Sequence, residues 1–349
     1  AAGGGHDQRV VRGVGVAERA AGRMQALGYT DVAMLEGGTA AWAKAGETLF
    51  KGVNVPSKLF GELVEHAYHT PRVTAQELTR MKEAGEDFVL LDGRPLNEHG
   101  KMTIPGSTCC PNAELPYRLP GLIKSPATKI IVNCAGRTRS ILGAQTLINF
   151  GVANPVYALE NGTQGWRLAG LELESGATRK YPDRVDAAAL PGLKEQARKL
   201  MQRFALRTVT AAQADAWLEE TGRTTYLCDV RTPEEFKSGP VPGALHAPGG
   251  QHIQATDEWI AVRNARVVLI DGGEVVRAPV VASWLKQLGW DAWVLDGGAR
   301  SGLKGTAAPE AKLPVLGTIS AEELDSALAA GGCAVFDLGP SMVYRKAHV

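Results

Sequence analysis

Three scarcities in this sequence each close off a class of function. Cysteine occurs five times in 349 residues, first at Cys109, too sparsely for the disulfide framework of a small secreted module. Charge of either sign is balanced, 38 lysines and arginines against 37 aspartates and glutamates, which leaves no basic excess for nucleic acid or an anionic membrane. Long apolar runs are missing, so no segment would span a bilayer, and the opening Ala1-Ala-Gly-Gly-Gly-His-Asp-Gln lacks the apolar core of a signal peptide. These features predict a cytoplasmic protein with reduced thiols and no metal or other cofactor. The 44% apolar content is ordinary for a globular chain, and the length suggests about two domains.

What is present is one cysteine in a setting suited to anions. The β-branched run Lys129-Ile-Ile-Val-Asn133 stops at Cys134 and passes through Ala135-Gly136-Arg137-Thr138-Arg139. A helical pattern then opens at Ser140 and ends at Gly151, a C-cap glycine. A thiol between a strand end and a helix N-terminus faces free backbone N–H groups and the positive end of the helix dipole. Both favour thiolate, so the pattern predicts a pKa below the free-cysteine value of about 8.5. Arg137 and Arg139 have no packing reason to crowd a core cysteine, but they suit an oxyanion. The bland alternative is an inert cysteine closing a core strand; the glycine and the arginines argue against it.

The chain also repeats itself. Ala17–Gly28 leads into Val32-Ala-Met-Leu-Glu-Gly-Gly38, Ile141–Gly151 into Val156-Tyr-Ala-Leu-Glu-Asn-Gly162, and Pro279–Gly289 into Ala292-Trp-Val-Leu-Asp-Gly-Gly298. Upstream, Leu91-Asp-Gly-Arg94 echoes Cys228-Asp-Val-Arg231 and Phe336-Asp-Leu-Gly339. Apolar runs alternating with helical patterns predict α/β domains, each a parallel sheet flanked by helices. Residues 70–176 and 207–305 read as whole copies, 1–50 as the latter half of a copy without a cysteine, and 315–349 as the first half of a further one. Two connectors separate them. Val55–Ala67 carries a short helix after Pro56. Residues 177–206 include the helix Pro191–Leu206, with Leu193, Ala197, Leu200, Met201 and Phe204 on one face to pack against a neighbouring domain.

The loop Cys134-Ala-Gly-Arg-Thr-Arg-Ser140 resembles the active-site loop of the rhodanese sulfurtransferase family. The resemblance extends, in the family's order, through Val73-Thr-Ala-Gln-Glu-Leu78, Leu91-Asp-Gly-Arg94, Ile104-Pro-Gly106, Leu159-Glu-Asn-Gly162 and Trp166. It implies tandem rhodanese-like domains and a thiosulfate sulfurtransferase. Cys134 would take the outer sulfur of a small anionic donor as a persulfide and pass it to cyanide or a thiol. Ala135, Gly136, Arg137, Thr138, Arg139 and Ser140 would bind substrate, the loop N–H groups cradling the persulfide and the two arginines holding the sulfonate. The cationic loop favours thiosulfate over 3-mercaptopyruvate. Phosphatases sharing the fold place arginine six positions after cysteine; here that position is Ser140, which argues against them.

The same resemblance gives Asp92 and Arg94 a supporting role as an ion pair bracing the loop. Glu98 reads as solvated or paired to an arginine, and Trp166 as packing. Cys109 and Cys110 are two small buried residues or, alternatively, resolving thiols that take sulfur from Cys134; their adjacency speaks against a mutual disulfide or a metal site. In the other whole copy Asp271 stands where Cys134 sits, in a loop that reads one residue longer. A carboxylate holds no persulfide, and Asp271 and Glu274 would repel an anionic donor, so that copy is expected to be silent. Cys228 and Cys333 read as structural. A non-enzymatic persulfide carrier or redox-binding module serving a partner protein is the alternative function, and a homo-oligomer remains open. Because half a copy cannot bury its sheet, the terminal segments predict a piece of a longer four-domain protein. Their strands are expected at Val32–Leu35, near Thr318 and at Ala334–Asp337, with Arg9-Val-Val11 as a candidate inner strand.

Overall fold

Ten short apolar segments become strands, five in each whole copy. In the first copy they are β1 (Arg72–Val73), β2 (Phe88–Asp92), β3 (Thr108–Cys109), β4 (Lys129–Asn133) and β5 (Val156–Leu159). In the second they are β6 (Arg207–Val209), β7 (Thr225–Asp229), β8 (Leu245–His246), β9 (Arg266–Ile270) and β10 (Asp291–Leu295). The structure is a computed structural model, and it describes residues 8–47, 55–306, 317–331, 333 and 335. The two sheets have the same order, β1-β5-β4-β2-β3 and β6-β10-β9-β7-β8, with every pairing parallel. The expected α/β architecture of two parallel sheets with crossover helices is therefore the observed one.

The central strand β4 is buried from Ile130 to Asn133, as its uninterrupted apolar run requires of a strand covered on both faces. Its neighbours are β2 and β5, so its carboxyl end lies where the strand order reverses, the usual place for a site in an open parallel sheet. Cys134 is the first residue past that end.

Each sheet has a private core on one face. Leu78, Leu90, Ile131 and Trp166 fill it in the first copy, and Val209, Leu227, Val268 and Leu295 in the second. The other faces look into one shared core that joins Leu91, Val132, Leu142 and Leu147 to Val267, Leu269, Val281 and Trp284. Trp284 lies at the join, its indole N–H donating to the Thr146 hydroxyl at 2.8 Å. The linker helix Leu190–Arg203 buries Leu193, Ala197 and Leu200 against Phe150 of one copy and Val276 and Val280 of the other. The expected apolar face is thus used, and it joins two domains rather than one. The other connector forms the helix Val55–Tyr68, longer than the sequence pattern indicated.

Each copy opens on the same helix start. Thr74 with Glu77, Thr210 with Gln213, and Ser320 with Glu323 form reciprocal capping boxes. The terminal segments otherwise depart from expectation. Arg9-Val-Val11 lies in the helix Gln8–Ala26, not in a strand. Val32–Leu35 and the stretch at Thr318 are irregular. A strand exists by bonding its N–H and C=O groups to a neighbour, and neither stretch pairs with a described strand. Trp42 sits in the short helix Gly38–Lys44. Ala334–Asp337 lies outside the described residues except for Val335, which is not in a strand.

Candidate active site

The loop after β4 turns directly into the helix Thr138–Phe150, two residues earlier than the sequence pattern indicated, with Gly151 in the left-handed conformation closing it. Cys134 therefore sits at a helix N-terminus. Among the described residues, no protein acceptor takes the backbone N–H groups of Ala135, Gly136, Arg137, Thr138, Arg139 or Ser140; the first bonded amide is that of Ile141, to the Arg137 carbonyl. Open backbone donors at a helix N-terminus suit an anion. The Cys134 thiol lies 3.6 Å from the Ser140 hydroxyl, whose oxygen is 2.8 Å from the Arg137 carbonyl and 3.1 Å from that of Leu159.

The loop is clamped from the far side by the turn after β5. The amides of Thr163 and Gln164 donate to the Cys134 and Ala135 carbonyls at 2.8 and 3.0 Å. Gly162, at φ 51°, permits that approach, since a Cβ there would lie 2.1 Å from the Cys134 carbonyl oxygen. The glycine of the repeated turn is therefore a requirement of the loop it faces.

Cys134 is 2% exposed and lines a cavity of about 450 Å³. Thr138 and the two loop arginines line that cavity, but neither arginine is a free cation. Arg137 is held by Glu62, at 2.8 and 3.0 Å, and by Glu65. Arg139 makes a two-pronged pair with Glu98 at 2.7 and 2.8 Å and reaches Gln251 at 3.4 Å. Glu98 is thus paired to an arginine, as its position in the sequence allowed. The carboxylates that pair with the two loop arginines come from other elements, the connector helix and the segment after β2.

Asp92 and Arg94 lie beside the loop and outside the cavity. Arg94 grips both oxygens of Asp92 at 2.9 and 2.6 Å and donates to the Met102 carbonyl, and Thr103 donates to Asp92 at 2.8 Å. Burial works against the Asp92 carboxylate, but Arg94 and Thr103 outweigh it and hold its pKa below the ordinary value. Asp229 and Arg231 repeat the pair in the second copy. Trp166 packs in the first copy's private core and donates to the Glu172 carbonyl. Cys109 and Cys110 are wholly buried. Burial, assisted by Asp92, pushes the Cys109 thiol up to about 12, and burial with Glu114 also pushes Cys110 upward. Neither environment supports a thiolate, the form a resolving thiol needs.

The second copy's loop is closed by its own side chain. Asp271 accepts from the amides of Gly272, Val276, Arg277 and Ala278 at 2.6–3.1 Å and from the Arg277 guanidinium at 2.8 Å. From Asp271 to Gly289, which closes its helix, the second copy runs 18 residues, against 17 from Cys134 to Gly151 in the first, so its loop is one residue longer, as the sequence indicated. Arg277 is 1% exposed and also binds Glu114 of the first copy and Glu235. An internal carboxylate thus occupies the position that the first loop leaves open.

Four of five further cavity residues had no signal in a local motif. Lys58, Leu59 and Glu62 come from the connector helix, and Gln164 and Gln254 from the turn helix Gly162–Leu168 and the second copy. Gln164 adjoins a recognised turn; the others depend on long-range packing. No cluster of histidine, cysteine, aspartate and glutamate able to hold a metal occurs among the described residues, and no helix there is long and apolar enough to cross a membrane.

Comparison with known proteins gives three findings. The profile of the Rhodanese-like domain matches residues 74–169 and 210–303. The crystal structure of thiosulfate sulfurtransferase from Pseudomonas aeruginosa is similar with TM-score 0.83 at 46% identity, over 90% of this chain and 60% of that one. An HTH-type transcriptional regulator of Mycobacterium tuberculosis is 36% identical over 111 residues, 32% of this chain and 48% of its own length. The matched parts thus span about half of the one relative and 60% of the other.

Proposed function

This chain belongs to the rhodanese-like domain family, and from that premise we propose that it is a thiosulfate sulfurtransferase with one working site, at Cys134. The observation that carries the reading is the difference between the two loops. One leaves six backbone N–H groups open around a cysteine, and the other fills the same position with a carboxylate. The name of the similar Pseudomonas aeruginosa protein supplies thiosulfate as the donor to test.

The Cys134 thiol loses its proton to solvent, and the thiolate attacks the outer sulfur of thiosulfate. A bond forms between the two sulfurs as the donor's own sulfur–sulfur bond breaks, and sulfite leaves with that electron pair. The product is an anionic persulfide on Cys134, and the amides of Ala135 to Ser140 are placed to stabilise its terminal sulfur. A cyanide carbon then attacks that sulfur, the bond to Cys134 breaks, and thiocyanate departs while the thiolate is restored. A thiolate acceptor would leave instead as its own persulfide.

The direct test is a thiosulfate:cyanide assay on the wild-type chain and on Cys134→Ser. Thiocyanate should form in the first and not in the second. Equal turnover in both would remove Cys134 from the reaction.

A further inference from the structure

The connector helix Val55–Tyr68 belongs to neither copy of the repeat, yet it walls the Cys134 cavity. It is fixed along its length. Ser57 donates to the Gln254 carbonyl at 2.6 Å, and Tyr68 donates to Gln287 at 2.9 Å. Phe60 meets Trp284 edge-on with ring centroids 5.8 Å apart. At Gly61 the helix comes so close to the loop helix that a Cβ would lie 2.9 Å from the Thr138 methyl carbon and 3.2 Å from its Cα. The side chains it shows the cavity are therefore placed by backbone packing.

Four charged side chains line that cavity: Lys58, Glu62, Arg137 and Arg139. Arg137 is neutralised by Glu62 and Glu65, and Arg139 by Glu98. Lys58 makes no ion pair with any described residue, and it is exposed. Its ammonium is thus the cavity cation without an ion-pair partner among the described residues. A flexible four-carbon stem lets such a point charge follow a ligand at the mouth, which a fixed guanidinium fork cannot do.

We propose that Lys58 is the specificity-determining cation of this site, receiving the anionic end of the sulfur donor while the outer sulfur faces Cys134. The assignment rests on the sulfurtransferase reading only for the identity of the ligand. The anion site itself rests on the one cavity cation that forms no ion pair among the described residues, whatever the ligand.

Two measurements separate those claims. The first needs no sulfur transfer: the rates at which iodoacetate, an anion, and iodoacetamide, its neutral analogue, alkylate Cys134 in a Cys333→Ser background, Cys333 being the exposed free thiol. The iodoacetate:iodoacetamide ratio should fall about tenfold in Lys58→Ala, further in Lys58→Glu, and return in Lys58→Arg, as loss of one charge-assisted contact implies. Any change in thiol reactivity affects both reagents alike and cancels in the ratio. A ratio unmoved by Lys58→Ala and Lys58→Glu overturns the assignment. The second is donor kinetics with dithiothreitol as a neutral acceptor. The thiosulfate KM should rise about tenfold in Lys58→Ala with kcat little changed. An unchanged KM in an active enzyme overturns the assignment, whereas a responsive alkylation ratio in a chain that turns over no thiosulfate upholds the anion site and overturns the sulfurtransferase reading.

Discussion

Gly162 touches the backbone of Cys134: the Thr163 amide beside it holds the Cys134 carbonyl at 2.8 Å, and a Cβ on Gly162 would enter that carbonyl at 2.1 Å. The turn after β5 and the loop after β4 are therefore one device. Gly162→Ala should displace the loop and lower sulfur transfer by about a hundredfold, the scale of a misplacement near 1 Å. Gly298→Ala makes the equivalent clash, 2.4 Å from the Asp271 carbonyl, and should lower stability with little effect on turnover. Steady-state rates and thermal unfolding of the two variants would compare them. Full activity in Gly162→Ala would show that the loop tolerates the shift.

Asp271→Cys in a Cys134→Ser background should not restore activity. The substitution removes the acceptor of four amides and one partner of the buried Arg277, and it leaves a loop one residue too long. Glu114 and Glu235 still face Arg277, so the cost should fall near the lower end of the about 3–5 kcal/mol for breaking a buried pair. Denaturant unfolding measures the loss. Near-normal turnover would refute the account of the silent copy.

Acid should loosen the junction of the two copies in two stages. His252 is buried with neither ring nitrogen bonded, and burial lowers its pKa from 6.5 to about 4. The unfolded chain therefore takes up a proton that the folded one refuses, and stability falls as pH drops from about 6.5 toward 4. Burial raises the Glu235 pKa, but Arg277 dominates the balance and brings it from 4.5 to about 2. Its contribution is complete above about pH 4.5 and is lost as pH falls toward 2. Urea midpoints from pH 8 to 4 should fall in the wild type and flatten above pH 5 in His252→Leu. A parallel fall in both would exclude His252 as the source.

Glu98→Gln should lower the thiosulfate KM by about three- to tenfold, because it frees the Arg139 guanidinium that Glu98 now holds on two prongs. The gain should shrink with added salt, since Glu98 is 32% exposed by its side chain. An unchanged KM at low salt would place Arg139 outside the donor's reach.

What the sequence made legible follows from how local each feature is. The strand-to-helix passage at Cys134, the linker face Leu193–Ala197–Leu200 and the Asp92–Arg94 pair are written within a few residues of themselves. Glu62 and Glu65 are not, for on paper they are a solvated face of a connector helix, and only tertiary packing brings them to Arg137. The same holds for Gln251 and Gln254, which the second copy brings to Arg139 and to the Cys134 cavity. Val32–Leu35 carries the repeat's strand pattern but pairs with no neighbour among the described residues, so the pattern alone misleads there. The helix start at Thr138 was also misplaced, because no side chain caps it and the loop supplies no serine or aspartate at the N-cap.

The most direct measurement of the central claim is intact mass after incubation with thiosulfate, followed by cyanide. The account predicts one added sulfur atom per chain, located on the peptide containing Cys134, removed by cyanide and absent in Cys134→Ser. Sulfur on Cys109, Cys110, Cys228 or Cys333, or none on Cys134, would contradict it.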